Sequence, residues 1–319
     1  MRITLIGGTG HVGTYLVPRL VAAGHDVSVV SRGERDPYHD DAAWEAVETL
    51  TLDREAAEER GEFGERILDT DPDAVIDLIC FDVESARSLV ESLRGEVQQL
   101  LHCGTIWVHG PSVAVPTTED EPRRPFGDYG VQKAEIESYL LDEARRTGFP
   151  ATVLHPGHIS GPGWTPINPQ GNLNHDVFER LAAGEEVTLP NLGMETLHHV
   201  HADDVAQAFE RALDNWSAAV GESFHVVSPK ALTLRGYAEA VAGWFGEEAN
   251  LEFLGWAEWR ETVSAEDAEA TEDHVRHSPN CSIAKARERL GYEPRYTSER
   301  TLKEAVDWLV EEGEIEVPE

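Results

Sequence analysis

A tyrosine and a lysine stand four residues apart in the run Tyr129-Gly130-Val131-Gln132-Lys133. On a helix this spacing puts the phenol and the ammonium on one face, one turn apart. A free tyrosine has a pKa of about 10 and is a poor base at neutral pH, but a neighbouring cation favours the phenolate and lowers that pKa. The pair could then exchange a proton with a substrate hydroxyl or carbonyl. Such pairs also occur by chance on solvated helices, so the interpretation depends on what surrounds them.

A glycine-rich loop near the start of the chain is typical of phosphate binding. Gly7, Gly10 and Gly13 directly follow an apolar strand and open a helix. The first glycine permits a tight turn, the second lets a pyrophosphate approach the backbone, and the third lets helix and strand pack closely. The unpaired N–H groups at the helix N-terminus favour the phosphates. We therefore expect dinucleotide binding through Gly7, Thr9, Gly10, His11, Val12 and Gly13.

The end of the second predicted strand bears on which dinucleotide is bound. An NAD site usually carries an acid there, but here Val30 is followed by Ser31 and Arg32. A hydroxyl and a cation suit the 2′-phosphate of NADP, so NADP is favoured over NAD. Arg32 could also be a plain surface residue, and nearby Asp36 keeps NAD open. Asp53, after the third strand, either faces the adenine or caps the next helix.

The elements that must position these residues form an alternating pattern of short apolar runs and helical stretches, which indicates a parallel sheet with crossover helices. The predicted fold is α/β, a Rossmann-type doubly wound parallel sheet with a smaller, interleaved α/β substrate domain. Strands are predicted at 3–6, 27–30, 49–52, 74–80, 99–103 and 151–155, and helices at about 11–23, 54–69, 83–94 and 131–147.

After Pro156 the chain becomes rich in proline and glycine, which marks loops. We therefore place the dinucleotide-binding domain at 1–155 with about 199–222, and a substrate-binding domain at 156–198 and 223–319. Further strands are predicted at 199–201, 223–227 and 250–254. Helices are predicted after 203 and at about 233–245, 282–290 and 299–312, with an exposed helix or loop at 264–272.

The composition is strongly acidic, with 60 Asp and Glu against 26 Lys and Arg and a net charge of −34. Such a surface repels nucleic acid. With only four lysines it resembles proteins of salt-loving organisms, and we predict that folding or activity improves with KCl, because dense counter-ions screen like charges. No apolar run approaches the roughly 20 residues that cross a bilayer. Without a leader peptide or spaced cysteines, a cytoplasmic protein with reduced thiols is expected.

Taken in order, the motifs resemble the extended short-chain dehydrogenase/reductase superfamily, in its branch of NAD-dependent epimerases and dehydratases. The resemblance covers almost the whole chain. It is carried by GGTGHVG at 7–13, VIDLIC at 75–80, HCGTIWVHG at 102–110, YGVQK at 129–133, HPGHISGPG at 155–163, HVHADDVA at 199–206 and SIAKARERLGYEP at 282–294.

The resemblance implies a catalytic set. Thr105 would hydrogen-bond the reacting oxygen, Tyr129 would be acid and base, and Lys133 would also hold the nicotinamide ribose. Many relatives have two serines before the hydroxyl, where this chain has Cys103 and Gly104. The resemblance also implies a possible homodimer, and further cofactor contacts at Cys80, Phe81, His155, Gly157 and His158.

The substrate side favours a sugar or sugar derivative. Nucleotide-sugar relatives usually hold the diphosphate with an arginine shortly before the Asp-Asp pair, and residues 193–199 contain none. His199 and His201 could share a strand face as metal ligands, but His201 and Asp204 more simply tie the strand to the next helix, so no metal is expected. The predicted substrate contacts are Trp107, His158, Trp164, Asn172 and His199.

We therefore expect an NAD(P)-dependent oxidoreductase that transfers a hydride at a carbinol or carbonyl carbon of a sugar or sugar derivative. A dehydrogenase or reductase would release the changed cofactor, whereas an epimerase or dehydratase would restore it in each cycle. Ser31, Arg32 and the missing arginine favour the former, and the resemblance favours the latter. The alternative is a non-catalytic, cofactor-sensing protein on the same fold.

Overall fold

The structure is a computed structural model and describes residues 1–318. Its strands are β1 (Arg2–Ile6), β2 (Asp26–Ser31), β3 (Glu48–Thr51), β4 (Ala74–Asp77), β5 (Gln99–Cys103), β6 (Ala151–Pro156), β7 (His158–Ser160), β8 (Glu186–Pro190), β9 (Thr196–Leu197), β10 (His199–His201), β11 (Ser223–Val226), β12 (Leu232–Thr233) and β13 (Asn250–Leu254).

The α-helices are α1 (His11–Ala22), α2 (Arg54–Glu59), α3 (Phe63–Leu68), α4 (Val83–Leu93), α5 (Gly127–Thr147), α6 (Asp176–Ala182), α7 (Ala202–Asp214), α8 (Trp216–Ala219), α9 (Leu234–Trp244), α10 (Trp256–Trp259), α11 (Ala265–His277), α12 (Ala284–Leu290) and α13 (Ser298–Glu311). Two 3₁₀ helices cover Ala42–Ala46 and Ile106–His109. No helix within residues 1–318 combines the length and apolar character needed to cross a bilayer.

The large sheet confirms the predicted architecture. Seven parallel strands run in the order β11-β6-β5-β4-β1-β2-β3. Apolar side chains on its two faces form two separate cores, as expected for a parallel sheet covered by helices on both sides. The strand order changes direction between β1 and β4, and ligands bind at such switch points, outside the carboxyl ends of the strands.

Three predicted boundaries differ from the structure. The helix expected at 54–69 is two helices, because Gly61 between them adopts a φ of 69° that a continuous helix does not allow. The strand expected at 74–80 ends at Asp77, whose carboxylate accepts a hydrogen bond from the Ile79 N–H at 3.2 Å and turns the chain. Helix α5 begins four residues earlier than expected, so Tyr129 lies in its first turn.

A third core lies against the small sheet formed by β8 and β13. It is built from α6, β8, α9 and α13, which contribute Phe178, Leu189, Tyr237 and Val306 respectively. The domain division at 223 stays a prediction, and the strand that follows it, β11, pairs with β6 at the edge of the large sheet. All four β11 residues are buried, which suits a sheet covered on both faces.

Candidate active site

The glycine loop forms a cradle for phosphate. Gly7 has a φ of 85°, which favours glycine, and a Cβ on Gly13 would lie 2.0 Å from the carbonyl oxygen of Gly8. Helix α1 therefore packs against the loop as closely as only glycine permits. Its first turn carries no acidic residue and no side-chain cap. Its N–H groups are thus free to bind an anion, and the cradle fits the pyrophosphate of a dinucleotide.

A groove runs along the carboxyl ends of the strands from this cradle in both directions. One cavity, of about 590 Å³, lies between the end of β2 and the start of α2, and another, of about 480 Å³, reaches the start of α5. The two cavities adjoin, since they share the lining residues Gly7, Gly10, Arg35, Ile79 and Phe81.

The β2 end of the groove holds most of the residues predicted to select the cofactor. Ser31 is buried and its hydroxyl accepts a hydrogen bond from the Gly33 N–H at 3.2 Å. Arg32 lines the cavity, but its side chain is 61% exposed and pairs with Glu34 at 3.1 Å. Arg35 lies at the junction of the two cavities. Sequence reasoning missed Arg35, although a second cation three residues after Arg32 was a usable signal.

The position of Asp53 is compatible with both roles predicted for it, but only one of them is seen. Its carboxylate accepts a hydrogen bond from the Ala56 N–H at 2.8 Å and so caps α2. The residue also lines the larger cavity. The capping alternative is therefore seen directly, and a contact with adenine stays a prediction.

The structure brings Thr105, Tyr129 and Lys133 together at the other end of the groove. Thr105 follows β5 and lines the same cavity as Tyr129, and its hydroxyl accepts from the Trp107 N–H at 3.3 Å. Lys133 is one turn after Tyr129, and its Nζ donates to the carbonyl oxygens of Cys80 at 2.7 Å and Cys103 at 2.8 Å. Helix α5 and the ends of β4 and β5 thus converge on one point.

The expected effect of Lys133 on the tyrosine is wrong for this arrangement. Burial and the neighbouring Cys103 thiol raise the pKa of Tyr129 to about 12, and the Thr105 hydroxyl only partly opposes them. Lys133 is itself buried, which lowers its own pKa, and its Nζ lies 5.9 Å from the centre of the Tyr129 ring. The phenol is therefore protonated at neutral pH, while 44% of the residue surface stays open to the groove.

The wall opposite Tyr129 is neutral and aromatic. His158 lines the cavity, and neither of its ring nitrogens has a hydrogen-bond partner within residues 1–318. Burial lowers the pKa of His158 well below its usual value, and the neighbouring histidines add to this, so the ring is neutral. His199 and His274 lie behind it, with ring centres 5.4 and 5.1 Å away.

An aromatic cluster closes over the glycine loop. Trp164 stacks on the His11 ring at 5.3 Å, and Tyr38 meets the same ring edge-on at 5.4 Å. The His11 Nε2 lies 3.2 Å from the carbonyl oxygen of Pro162. The His11 side chain thus supports the covering loop, which leaves its backbone as the part that faces a cofactor.

Several predicted contacts lie away from the groove. Asn172 is fully buried and donates to the Thr271 hydroxyl at 3.1 Å, so it joins its loop to α11. Trp107 lies behind Tyr129, stacked on His277 at 4.1 Å. Cys80 is buried and contributes its carbonyl to Lys133 rather than a side chain to the groove.

His155 is also placed differently from the prediction. The side chain is fully buried beneath Thr105 and makes no part of the cavity lining, so the expected cofactor contact is not available to it. Of its sequence neighbours, Gly157 and His158 do line the cavity. The buried ring belongs to a network described below.

Of the residues considered around the possible metal site, His201 and Asp204 have other partners, whereas neither ring nitrogen of the buried His199 has a hydrogen-bond partner within residues 1–318. His201 caps α7 by accepting a hydrogen bond from the Asp203 N–H at 3.0 Å, and Asp204 accepts from the Arg295 N–H at 2.7 Å. A separate buried group of Asp77, Cys80 and His102 has ligand-type atoms within 4.8 Å of one another. Arg54 occupies both oxygens of Asp77 at 2.9 Å, which leaves that carboxylate no place for a cation.

Known proteins share both the sequence pattern and the fold. Residues 3–226 match the sequence model of the NAD dependent epimerase/dehydratase family. The 2′-dehydrokanamycin reductase of Streptomyces kanamyceticus is 28% identical, over 99% of this chain and 86% of that protein. The chloroplast stem-loop binding protein of 41 kDa b from Arabidopsis thaliana is 26% identical, over 76% of this chain and 62% of that protein.

A solved structure gives the same picture for the fold. The crystal structure of the UDP-glucose 4-epimerase of Thermotoga maritima with UDP-glucose superposes with a TM-score of 0.74. The match covers 98% of this chain and 99% of that chain, at 24% identity. At that identity the likeness establishes the architecture alone.

Proposed function

The chain belongs to the NAD dependent epimerase/dehydratase family of extended short-chain dehydrogenases, and we propose that it is an NADP(H)-dependent reductase or dehydrogenase of a sugar derivative. The observation that carries the proposal is the meeting of Thr105, Tyr129 and Lys133 at one end of a groove that begins at the phosphate-binding cradle. A proton donor and a hydrogen-bond donor would thus face the carbon to which a nicotinamide cofactor transfers hydride.

The residues along the groove would hold the cofactor in a defined order. The N–H groups of the glycine loop would bind the pyrophosphate. Ser31 and Arg35 would receive the 2′-phosphate, because a hydroxyl and a guanidinium are good partners for a phosphate dianion. Phe81 and Gly157 would border the nicotinamide. When bound, this group supplies or accepts the hydride.

Tyr129 would act as the acid in the reducing direction. Its pKa of about 12 keeps the proton on the phenol oxygen below that pH, so at neutral pH the hydroxyl can donate it to a substrate carbonyl oxygen. The Thr105 hydroxyl would donate a second hydrogen bond to the same oxygen. Lys133, held on two carbonyls, would keep its third N–H for the nicotinamide ribose.

The neutral wall favours a substrate without a diphosphate. The lining of the cavity that contains Tyr129 also includes His158, Ile159, Trp164, Thr165 and Ile167. The cations among its described lining residues are Lys133, which binds carbonyls, and Arg35, which lies at the β2 end. A neutral imidazole can both donate to and accept from a hydroxyl, so His158 suits a sugar ring. The Streptomyces relative is named as a reductase of 2′-dehydrokanamycin, and that name mentions no nucleotide, which agrees with a substrate of this kind.

Two other functions remain as alternatives. The family name includes epimerases and dehydratases, which would return the cofactor to its first state in each cycle. A non-catalytic binding protein is the second, since one relative is named for stem-loop binding. The net charge of −34 opposes binding to nucleic acid, and the three assembled side chains favour catalysis.

A cofactor and substrate panel tests the proposal. The purified protein is incubated in concentrated KCl with NADPH or NADH and with 2′-dehydrokanamycin, free keto sugars and nucleotide-linked keto sugars. We expect oxidation of NADPH in step with loss of a sugar that carries no nucleotide. A changed sugar without net cofactor oxidation would identify an epimerase or dehydratase. Cofactor binding without any turnover of the panel would favour the non-catalytic alternative.

A further inference from the structure

Helix α5 carries a third polar residue on the face that bears Tyr129 and Lys133. Glu137 follows Lys133 by four residues, so the three side chains lie one above another over two turns. Each of these side chains contacts the chain at the carboxyl end of β5, either directly or through another residue. Tyr129 lines the groove beside Thr105, Lys133 donates to the Cys103 carbonyl, and Glu137 contacts His155, which accepts from the Thr105 N–H.

His155 joins this helix to the backbone of Thr105. Its Nδ1 accepts a hydrogen bond from the Thr105 N–H at 3.0 Å, and its Nε2 lies 2.9 Å from the Glu137 Oε1. Because Nδ1 is an acceptor, the ring proton is on Nε2, which makes a close polar contact with the carboxylate without the alignment of a hydrogen bond. The ring is fully buried, so water does not compete for the hydrogen bond or for this contact.

Gly104 explains how the imidazole reaches Thr105. A Cβ on residue 104 would lie 2.4 Å from the His155 Nδ1, which no side chain could occupy. Many relatives have a serine at this position. The glycine of this chain leaves free the space that the histidine ring fills. The two residues form a matched pair from neighbouring strands β5 and β6.

Arg123 completes the network and keeps Glu137 charged. Its guanidinium donates to both oxygens of Glu137, at 2.9 and 2.5 Å, and to the Ser223 hydroxyl at 3.2 Å. Burial alone would raise the pKa of Glu137, but His155 and Arg123 together hold that pKa well below its usual range. A permanent carboxylate therefore fixes the orientation of the His155 ring.

We propose that His155 is a positioning residue for the reaction, which sets the direction of the Thr105 hydroxyl through the backbone N–H and is itself held by Glu137 and Arg123. The inference rests on the proposed role of Thr105 beside Tyr129. The chain Arg123, Glu137, His155, Thr105 fixes the spacing between helix α5 and the end of β5, and small displacements of reacting groups reduce turnover strongly.

Two substitutions of His155 and one matched control test this. His155→Leu removes the hydrogen bond from the Thr105 N–H and the polar contact with Glu137, and His155→Asn restores an acceptor near the position of Nδ1. The control is His198→Leu, because His198 is equally buried, accepts from the Cys281 N–H at 3.1 Å and binds the Ser228 carbonyl at 2.8 Å. It has no side-chain contact with Thr105 or Tyr129 in the described residues.

The expected kinetic result is a loss in kcat rather than in KM. We expect His155→Leu to lower kcat by about 10- to 100-fold, as a misplaced reacting group would, with KM and the Kd for NADPH within twofold of the wild type. His155→Asn should recover most of that loss, and His198→Leu should keep the wild-type kcat. An unchanged kcat in His155→Leu, or an equal loss in His198→Leu, would overturn the proposal.

A spectroscopic readout separates this inference from the proposed function. The ¹³Cζ NMR signal of Tyr129, identified by its absence from Tyr129→Phe, reports hydrogen bonding at the phenol even if no panel substrate is turned over. It should move in His155→Leu and stay in His198→Leu, and an unmoved signal in His155→Leu contradicts the positioning role. If His155→Leu does not fold, Glu137→Gln, which keeps the shape and loses the charge, is measured instead with the same expected directions.

Discussion

The two ends of the groove are built by different means. At the cofactor end the contacts come from backbone, since the cradle consists of glycines and of N–H groups at the start of α1. At the substrate end they come from side chains just after β5, in α5, in β7 and in the loop that follows β7, which are spread from Thr105 to Ile167. The first end depends on local chain geometry, and the second depends on how distant elements pack.

This difference sets what each end can tolerate. A cradle of backbone groups requires the absence of side chains, most strictly at Gly13, where a Cβ would overlap the Gly8 backbone. A wall of side chains can change identity while the fold persists, as the pairing of Gly104 with His155 illustrates. We therefore expect that substitutions which add atoms to the glycine loop weaken cofactor binding. Substitutions that remove side-chain atoms at the substrate end should reduce turnover.

Tyr129→Phe is the strongest single test at the junction of the two ends. Removing the phenol hydroxyl takes away the proton donor, and we expect kcat to fall by about 1,000-fold or more, with the Kd for NADPH unchanged. Tyr139→Phe, on the same helix beneath the Arg87 guanidinium, serves as control and should turn over like the wild type. Turnover retained in Tyr129→Phe would remove the proposed acid.

Gly13→Ala should break the cofactor end alone. The added methyl would sit 2.0 Å from the Gly8 carbonyl oxygen and force the loop away from α1. We expect NADPH to bind about 100-fold more weakly, measured by nicotinamide fluorescence. Gly243→Ala, in α9 where a Cβ meets nothing within 4 Å, is the matched control and should bind NADPH normally. Normal binding by Gly13→Ala would contradict the cradle.

Arg35→Ala should sharpen the comparison by separating NADPH from NADH. A guanidinium bound to the 2′-phosphate contributes about 1.5–3 kcal/mol, or roughly a 10- to 100-fold weaker Kd for NADPH when it is removed. The Kd for NADH should stay the same. Arg32→Ala should have a smaller effect, because Arg32 is exposed and paired with Glu34. An equal loss of affinity for NADPH and NADH would mean that Arg35 does not bind the 2′-phosphate.

The sequence predicted the cofactor end better than the substrate end for a physical reason. The strands, the glycine loop and the Tyr129–Lys133 spacing are local patterns, and the structure reproduces them. The direction of the Tyr129 pKa was predicted wrongly, because burial depends on the whole fold. Asn172 and His155 are polar residues whose partners, Thr271 and Glu137, lie far away in the chain or across the sheet, so no spacing rule identifies them.

Salt should have the smallest effect and should act on the surface rather than on either end of the groove. With a net charge of −34, screening relieves repulsion among carboxylates, and we expect Tm to rise by about 5 °C or more between 0.1 and 2 M KCl. Circular dichroism measures it, with KCl and a non-ionic osmolyte compared at equal osmolality. A Tm that is flat or falls with KCl would reject the salt-adapted composition.

The transfer of a labelled hydride tests the central claim most directly. The protein is given NADPH that carries deuterium at the transferable position of C4, together with the panel of keto sugars, and the products are analysed by mass spectrometry. We predict a product sugar that gains one deuterium for each NADPH oxidised, and no such product with Tyr129→Phe. A product that forms without deuterium, while the label stays on the cofactor, would contradict the proposed reduction.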